Sequence, residues 1–178
     1  MAAPLLLVRN SPTRYACASV KRSLVLLLSH LLALGVGFAV GIYTLPILTA
    51  PTSPATDEAR RAAGDADYTA EFRRNLEGSD LLHWGEGTVS VGSRNIVFIG
   101  KLAPGPDYKL YLSPEYVETE AEFLRFKPGM ALVGDVRTFE NFVVPVPASI
   151  DVSSYRAVIV WCESFDQFIT AAAYQDRE

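Results

Sequence analysis

Cys162 is the residue whose chemistry most needs explaining, because it is the only cysteine in the long acidic part of the chain. A thiol can act as a redox centre or as a cofactor ligand where it is accessible and its pKa is low. A free cysteine is also among the most often buried residues, and it then behaves as a small apolar side chain. The residue alone leaves both interpretations open.

The residues before Cys162 are apolar on both faces of a predicted strand, in the run Ala157-Val158-Ile159-Val160-Trp161. Alternate residues of a strand share a face, so Cys162 lies on the face of Val160. Trp161 lies on the opposite face. Because neither face is polar, the pattern predicts a central strand of a packed sandwich.

His83 is the second candidate, either as a partner of a thiolate or as a cofactor ligand. It can equally be a polar residue that orients the loop before the first clear strand. One cysteine and one histidine supply at most half of a zinc site, so we predict no metal site. The cofactor, if one binds, is not identified by these residues.

Several catalytic and nucleotide-binding motifs are absent from the sequence, which narrows the function classes. There is no P-loop, Rossmann fingerprint or HExxH, no GxSxG elbow, and no Cys-x-x-Cys-His for covalent haem. Carboxylates are plentiful but scattered, as on a solvated surface. A hydrolase has no residue support, and the pattern favours a protein that is not itself an enzyme.

Charge divides the 178 residues into two unlike parts. Residues 1–56 carry four basic residues and no acidic one, whereas residues 57–178 carry all 20 acidic residues and a net charge of −8. A basic segment beside an apolar run suits a membrane surface. The acidic part and the overall charge of −4 argue against a nucleic-acid partner.

Residues 24–48 contain no formal charge and predict a single transmembrane helix after a basic tail, residues 1–23. A helix of this length would extend roughly 37 Å, enough to cross a bilayer. A cleaved signal peptide and a buried core helix are the alternatives. The apolar region of a signal peptide is usually only about 7–15 residues long. The nearest small-residue cleavage site is followed by Pro51, which disfavours cleavage.

The positive-inside rule orients this helix with its amino terminus in the cytoplasm and exports the carboxyl-terminal domain. We therefore expect a single-pass protein of the cell membrane, compatible with a bacterial inner membrane and a periplasmic domain. Cys17 and Cys162 would lie on opposite sides and could not pair. Residues 49–67, rich in Pro, Thr and Ala and then polar, are expected to form the linker.

Ala33, Gly37 and Gly41 repeat every four residues within the apolar run. Small residues at this spacing let two membrane helices approach closely, so a homodimer through this stripe is one hypothesis. Glycine and alanine are also simply common in membrane helices, which is the alternative.

Residues 68–178 are expected to form an exported all-β domain, an antiparallel sandwich or barrel. Short apolar or β-branched runs separated by turn residues predict strands. They cover residues 88–91, 96–99, 108–112, 131–138, 142–146, 157–161 and 168–172. Residues 57–76 are polar with scattered apolar residues, and we expect one or two short helices there, interrupted near Gly64.

Three blocks of sequence occur in an order that resembles a known module. The first is Phe72 followed by His83-Trp84-Gly85; the second is Gly105-Pro106-Asp107 leading to Leu110-Tyr111-Leu112-Ser113; the third is the run from Tyr155 to Trp161-Cys162, then Phe165 and Ala171-Ala172. Over about residues 70–174, the chain resembles the DM-thirteen domain, an extracytoplasmic module often found beside DOMON domains.

The resemblance implies an all-β sandwich and an electron-transfer or thiol-redox role centred on the cysteine, carried here onto Cys162 as a bare thiol or as a ligand. It also implies a protein redox partner. If this role is correct, Cys162 should be partly exposed with a lowered pKa, or bound to a chromophore. The competing hypothesis is a non-catalytic binding or structural module in which Cys162 is buried and inert.

Overall fold

The computed structural model describes residues 12–176 and divides into two units, Met1–Gly41 and Ile42–Glu178. The first unit contains most of helix α1, Pro12–Thr49. Within the described residues, Val20–Thr49 is the one helical stretch long and apolar enough to cross a membrane, with a mean hydropathy of 2.3. It contains the predicted span, 24–48, and includes Pro46 near its end, where a proline disturbs a helix least.

The second unit is built on eight strands and two short α-helices. In chain order these are α2 Thr56–Ala62, β1 Tyr68–Phe72, β2 Gly85–Val91, β3 Asn95–Leu102, β4 Tyr108–Ser113, α3 Glu120–Phe126, β5 Ala131–Val136, β6 Phe142–Pro145, β7 Ala157–Cys162 and β8 Gln167–Ala173. Short 3-10 turns occupy Lys127–Gly129 and Val152–Ser154.

The strands form two antiparallel four-stranded sheets, in the orders β1-β2-β3-β6 and β5-β4-β7-β8. The antiparallel sandwich predicted from the sequence is confirmed, and the sheets do not close into a barrel. The shared core is a cluster of buried side chains drawn from both sheets. Burial of this apolar surface is the main favourable contribution to folding.

The segment 57–76 differs from the expectation. A short helix, α2, is present and ends before Gly64, but Tyr68–Phe72 is a strand paired with β2 rather than a second helix. Tertiary pairing decides this region, because Phe72 is buried against the core while its neighbours face solvent. Cross-strand pairing commonly overrides the weak local preference of such a mixed sequence.

The predicted linker, 49–67, contains α2, and α2 is packed on the sheet in the second unit. Ala59 of this helix is fully buried. The side-chain amide of Asn141 donates to the carbonyl oxygen of Pro54 at 3.1 Å and to Oγ1 of Thr56 at 3.2 Å. The end of this linker is therefore attached to the β domain by specific contacts.

Strand β7 is the central strand of its sheet, paired with β4 on one side and β8 on the other. All six of its residues are buried. Val158, Val160 and Cys162 join the core between the sheets, and Ile159 and Trp161 join a second cluster on the outer face. The predicted alternation of this strand is confirmed.

Helix α3 covers the outer face of β7, which explains why both faces are apolar. Thr119 accepts a hydrogen bond from the N–H of Glu122 and caps the helix. The Glu122 carboxylate bonds the Thr119 hydroxyl in return, an arrangement close to a capping box. Phe123 of this helix is fully buried against the sheet.

Candidate functional site

Cys162 lies at the end of β7, opposite Tyr108 of β4 and Gln167 of β8. The residue is 3 % exposed. Its thiol is free. Because β7 is paired on both sides and covered on both faces, the position of the sulfur is set by the fold rather than by a mobile loop.

Two of the sequence blocks, separated by more than fifty residues, meet at this sulfur. Strands β4 and β7 are antiparallel, so the Gly105-Pro106-Asp107 loop before β4 lies beside the turn after Cys162. The N–H of Glu163 donates to the carbonyl oxygen of Asp107 at 3.0 Å. The hydroxyl of Ser164 donates to Oδ2 of Asp107 at 3.0 Å.

The environment of the sulfur acts on its pKa in two directions. Burial raises the pKa of the Cys162 thiol, and the nearby Asp107 carboxylate adds to that effect. Weaker contributions from the backbone of Phe165, Asp107 and Ser164 act to lower the pKa and oppose this effect. The net pKa lies above the ordinary value, so the thiol holds its proton at neutral pH.

This result bears on the two hypotheses for Cys162. The redox hypothesis for a bare thiol predicts partial exposure and a lowered pKa. The structure contradicts both of these expectations, because the thiol is almost fully buried and burial raises its pKa. The Asp107 loop distinguishes this site from an ordinary apolar core position, because its carbonyl and carboxylate oxygens accept hydrogen bonds from the turn that follows Cys162.

Tyr108 lines the loop side of the site. Its hydroxyl donates to the carbonyl oxygen of Ala103 at 2.9 Å, and its ring meets that of Phe139 edge to face. Gly105 approaches this ring so closely that a Cβ atom would lie 2.4 Å from it. The glycine of the Gly-Pro-Asp block is therefore required by packing.

Lys109 connects two carboxylates beside the site, Asp107 at 2.9 Å and Asp135 at 2.8 Å. Hydrogen bonds from Lys109 and then Arg137 lower the pKa of Asp135, and those to Asp135 and Asp107 raise the pKa of Lys109. A cleft of about 280 Å³ in the second unit is lined by residues 105–109, 135–137 and 139, together with 46 and 49–51.

His83, the second candidate, lies in the loop ahead of β2. Its Nδ1 is 2.9 Å from Oδ2 of Asp80, and the other carboxylate oxygen accepts from the N–H groups of Leu82 and His83. These bonds fix the loop, and none of the described contacts joins His83 to Cys162. Within residues 12–176, no group of three or more His, Cys, Asp or Glu side chains could hold a metal ion.

A second group of polar and aromatic residues lies on the outer face of the same sheet. The rings of Trp161 and Phe123 are stacked at 3.9 Å, and Phe123 meets Tyr111 edge to face at 5.3 Å. The Tyr111 hydroxyl donates to Glu163, which also accepts from Lys127 at 2.8 Å. The sequence analysis did not single out Tyr111 and Glu163 together, because their contact depends on how β4 pairs with β7.

Comparison with known families finds a match to the family described as Electron transfer DM13, over residues 75–174. The match confirms the resemblance predicted from the sequence blocks and covers more than half of the chain. Neither the curated proteins nor the solved structures yielded a match. The chain folds as a β-sandwich in which the sequence blocks meet at Cys162. This chain belongs to the DM13 electron-transfer family.

Proposed function

We propose that this protein is a membrane-anchored extracytoplasmic electron-transfer module whose redox centre is Cys162. The family and the apolar helix support the general part of this proposal. The observation that carries the specific part is the convergence of the Gly-Pro-Asp and Trp-Cys blocks at one sulfur, where Asp107 accepts hydrogen bonds from Glu163 and Ser164.

The proposed cycle is a one-electron exchange at sulfur. Oxidation takes one electron from the Cys162 thiol to an oxidised partner protein and releases the thiol proton, which leaves a sulfur-centred radical. Reduction returns one electron and one proton from a reduced partner. Because the pKa of the thiol is raised, electron and proton loss are coupled at neutral pH.

A ligand role for the sulfur is the second form of the same proposal. Metal or cofactor binding requires the thiolate, and backbone N–H donors to a bound sulfur are known to tune redox potentials. Cys162 supplies one sulfur at this site, and the described residues contain no group of three or more His, Cys, Asp or Glu side chains that could hold a metal ion. A bound cofactor would therefore draw its remaining ligands from itself or from a partner.

A non-catalytic module remains the competing candidate, and one observation favours it. Cys162 is 3 % exposed and its pKa is raised by burial, which is what a core cysteine shows. In that case the domain would bind its partner through loops or sheet faces, and the sulfur would only fill space.

Protein-film voltammetry on the full chain in detergent tests these candidates. Cys17→Ser leaves one thiol, and the matched control is the same chain with Cys162→Ala added. We expect a reversible one-electron wave in the first protein and none in the second. An absorption band in the visible region that disappears in the second protein would identify the ligand form.

Slow alkylation is expected under both candidates because the thiol is buried, so labelling alone does not decide. The redox proposal would be overturned if the chain carrying Cys17→Ser alone gave no wave and no visible band, and if its Cys162 were labelled only after unfolding. That result would favour the binding module.

The topology and assembly belong to this proposal as well. We place the amino terminus in the cytoplasm and the β domain outside, on the basis of the basic residues before the helix. Reporter fusions at each terminus test this orientation. A homodimer through Ala33, Gly37 and Gly41 is tested by cross-linking in membranes, with Gly37→Ile expected to abolish the dimer.

A further inference from the structure

Tyr111 and Glu163 form a phenol–carboxylate pair at the edge of the outer face. Tyr111 is 7 % exposed, and its hydroxyl donates to Oε1 of Glu163. The other carboxylate oxygen of Glu163 accepts from Lys127 at 2.8 Å. The Glu163 side chain is one quarter exposed, so the pair connects a buried ring to solvent.

A continuous aromatic contact leads from this pair back to Cys162. Trp161 precedes Cys162 by one peptide bond, is fully buried and stacks on Phe123. Phe123 in turn contacts the ring of Tyr111. Tyr111 and Trp161 are also diagonal neighbours on paired strands, since Tyr111 lies opposite Ile159. Diagonal neighbours are within reach of aromatic side chains.

We propose that Tyr111, with Glu163 as its proton acceptor, is the surface end of an electron path that runs from Cys162 through Trp161. This inference rests on the proposed redox role of Cys162 and adds the route and the group that exchanges the proton.

Tyr111 loses one electron and one proton in a single step. When a partner has oxidised Trp161 to its radical cation, the Tyr111 phenol gives up one electron to the indole and one proton to the Glu163 carboxylate. When the oxidised residue is the Cys162 radical, the sulfur takes up the same electron and regains from solvent the proton that its own oxidation released. The products are a neutral tyrosyl radical, a protonated Glu163 and the restored reduced residue. A reduced partner protein then supplies one electron to the ring, and the proton returns from Glu163 to the phenoxyl oxygen.

The surroundings explain why oxidation would pass through Trp161 and stop at Tyr111. The Nε1–H of Trp161 is buried and has no hydrogen-bond partner among the described residues, so an oxidised Trp161 has no base that could take its proton. The Lys127 ammonium lies 5.9 Å from the indole ring and disfavours a lasting positive charge there. Tyr111 has a base at hydrogen-bond distance.

Glu163 is suited to accept the proton because it is ionised at neutral pH. Burial works to raise its pKa, but hydrogen bonds from Lys127 and Tyr111 outweigh this effect and hold the pKa below the ordinary 4.5. Asp107 is the other charged group acting on both members of the pair. The rate of the step should be constant near neutral pH and should fall only below the ordinary carboxyl range.

The chain contains a matched control pair. The hydroxyl of Tyr116 donates to Oε1 of Glu118 at 2.7 Å, which reproduces the phenol–carboxylate contact. Tyr116 is 37 % exposed, and it takes no part in the aromatic contacts described for the path. Tyr116→Phe therefore removes an equivalent hydrogen bond without interrupting the proposed route.

The test combines flash oxidation with voltammetry on the full chain carrying Cys17→Ser. Photo-generated tris(bipyridine)ruthenium(III) is the oxidant, and electron paramagnetic resonance detects the radical. We expect a tyrosyl radical that Tyr111→Phe abolishes and Tyr116→Phe retains. Glu163→Gln should slow radical formation by about a hundredfold, the size of a general-base effect. Tyr111→Phe should slow electron exchange at Cys162 without moving its midpoint potential.

The outcomes separate this inference from the function it rests on. A Cys162 wave whose rate is unchanged by Tyr111→Phe overturns the path and leaves the role of Cys162 standing. A tyrosyl radical that depends on Glu163 in a protein with no Cys162 wave overturns the redox role of Cys162 and keeps the Tyr111–Glu163 pair. A radical that survives in Tyr111→Phe overturns the assignment of Tyr111.

Discussion

Two consecutive residues of β7 face environments that differ in kind. Cys162 lies on the inner face, between the two sheets, where burial keeps the thiol protonated. Trp161 lies on the outer face under α3, beside a rim that carries an ionised Glu163 and Lys127. The inner face can hold a neutral sulfur, and the outer face can exchange protons with solvent.

Under the redox role proposed for Cys162, the two faces of this strand would divide the electron and proton steps between them. Burial around the sulfur keeps the thiol protonated. The next residue, Glu163, carries an ionised carboxylate that bonds Tyr111 on the other face of the sheet.

Trp161→Ala should destabilise the protein most. It removes a fully buried ring stacked on Phe123, and such truncations cost about 3–5 kcal/mol. Urea unfolding of the full chain in detergent, followed by circular dichroism, measures the loss. Trp161→Phe keeps a ring against Phe123 and should lose clearly less; equal losses would show that the stack does not support the outer face.

Gly105→Ala should disturb the inner site more than the outer face. The added Cβ would lie 2.4 Å from the Tyr108 ring, and overpacking of this kind costs about 1–3 kcal/mol. The control is Gly129→Ala, where the nearest atom is 3.7 Å away; a change within about 0.5 kcal/mol is expected there. Unfolding curves of the two variants that coincide would contradict the tight packing at Gly105.

Substitutions of Cys162 test the packing around the sulfur. Cys162→Ala leaves a small space at a core position that is 3 % exposed and should cost about 1 kcal/mol. Cys162→Ser places a hydroxyl among apolar side chains and should cost more than Cys162→Ala. Urea unfolding measures both losses, and a serine variant more stable than the alanine variant would contradict the apolar character of this position.

The pH dependence of stability should separate the thiol from the tyrosines. Because the pKa of Cys162 is raised in the folded state, its contribution is complete below the ordinary thiol value of 9.0 and is lost as pH rises above it. The buried tyrosines lower the stability of the native chain and of Cys162→Ala alike, and only at pH values above their ordinary pKa of 10.0. Between pH 9 and 10, the Tm of the native chain should therefore fall more steeply with pH than the Tm of Cys162→Ala.

Much of the fold could be predicted from local pattern. The alternation around Cys162 predicted a central strand because both of its faces are apolar, and β7 confirms it. Helix α3 was missed although Thr119 and Glu122 have the spacing of a capping box. A helix of seven residues carries too little periodicity to be recognised without that signal.

The candidate site could be predicted only in part. The sequence singled out Cys162, but the contact of Asp107 with the turn after it depends on the register between β4 and β7. The Tyr111–Glu163 bond arises in the same way. Such long-range pairs have no local signature, since neither residue is unusual in its own segment.

The position of β7 also determines how an outside reagent reaches its last residue. In the strand order β5-β4-β7-β8, only β8 separates β7 from the sheet edge. The least costly opening that uncovers the sulfur is therefore a parting of the β7–β8 hairpin, and local openings of this type cost less than global unfolding. When a reagent modifies the thiol faster than the hairpin closes, the modification rate of Cys162 equals the rate at which that hairpin opens.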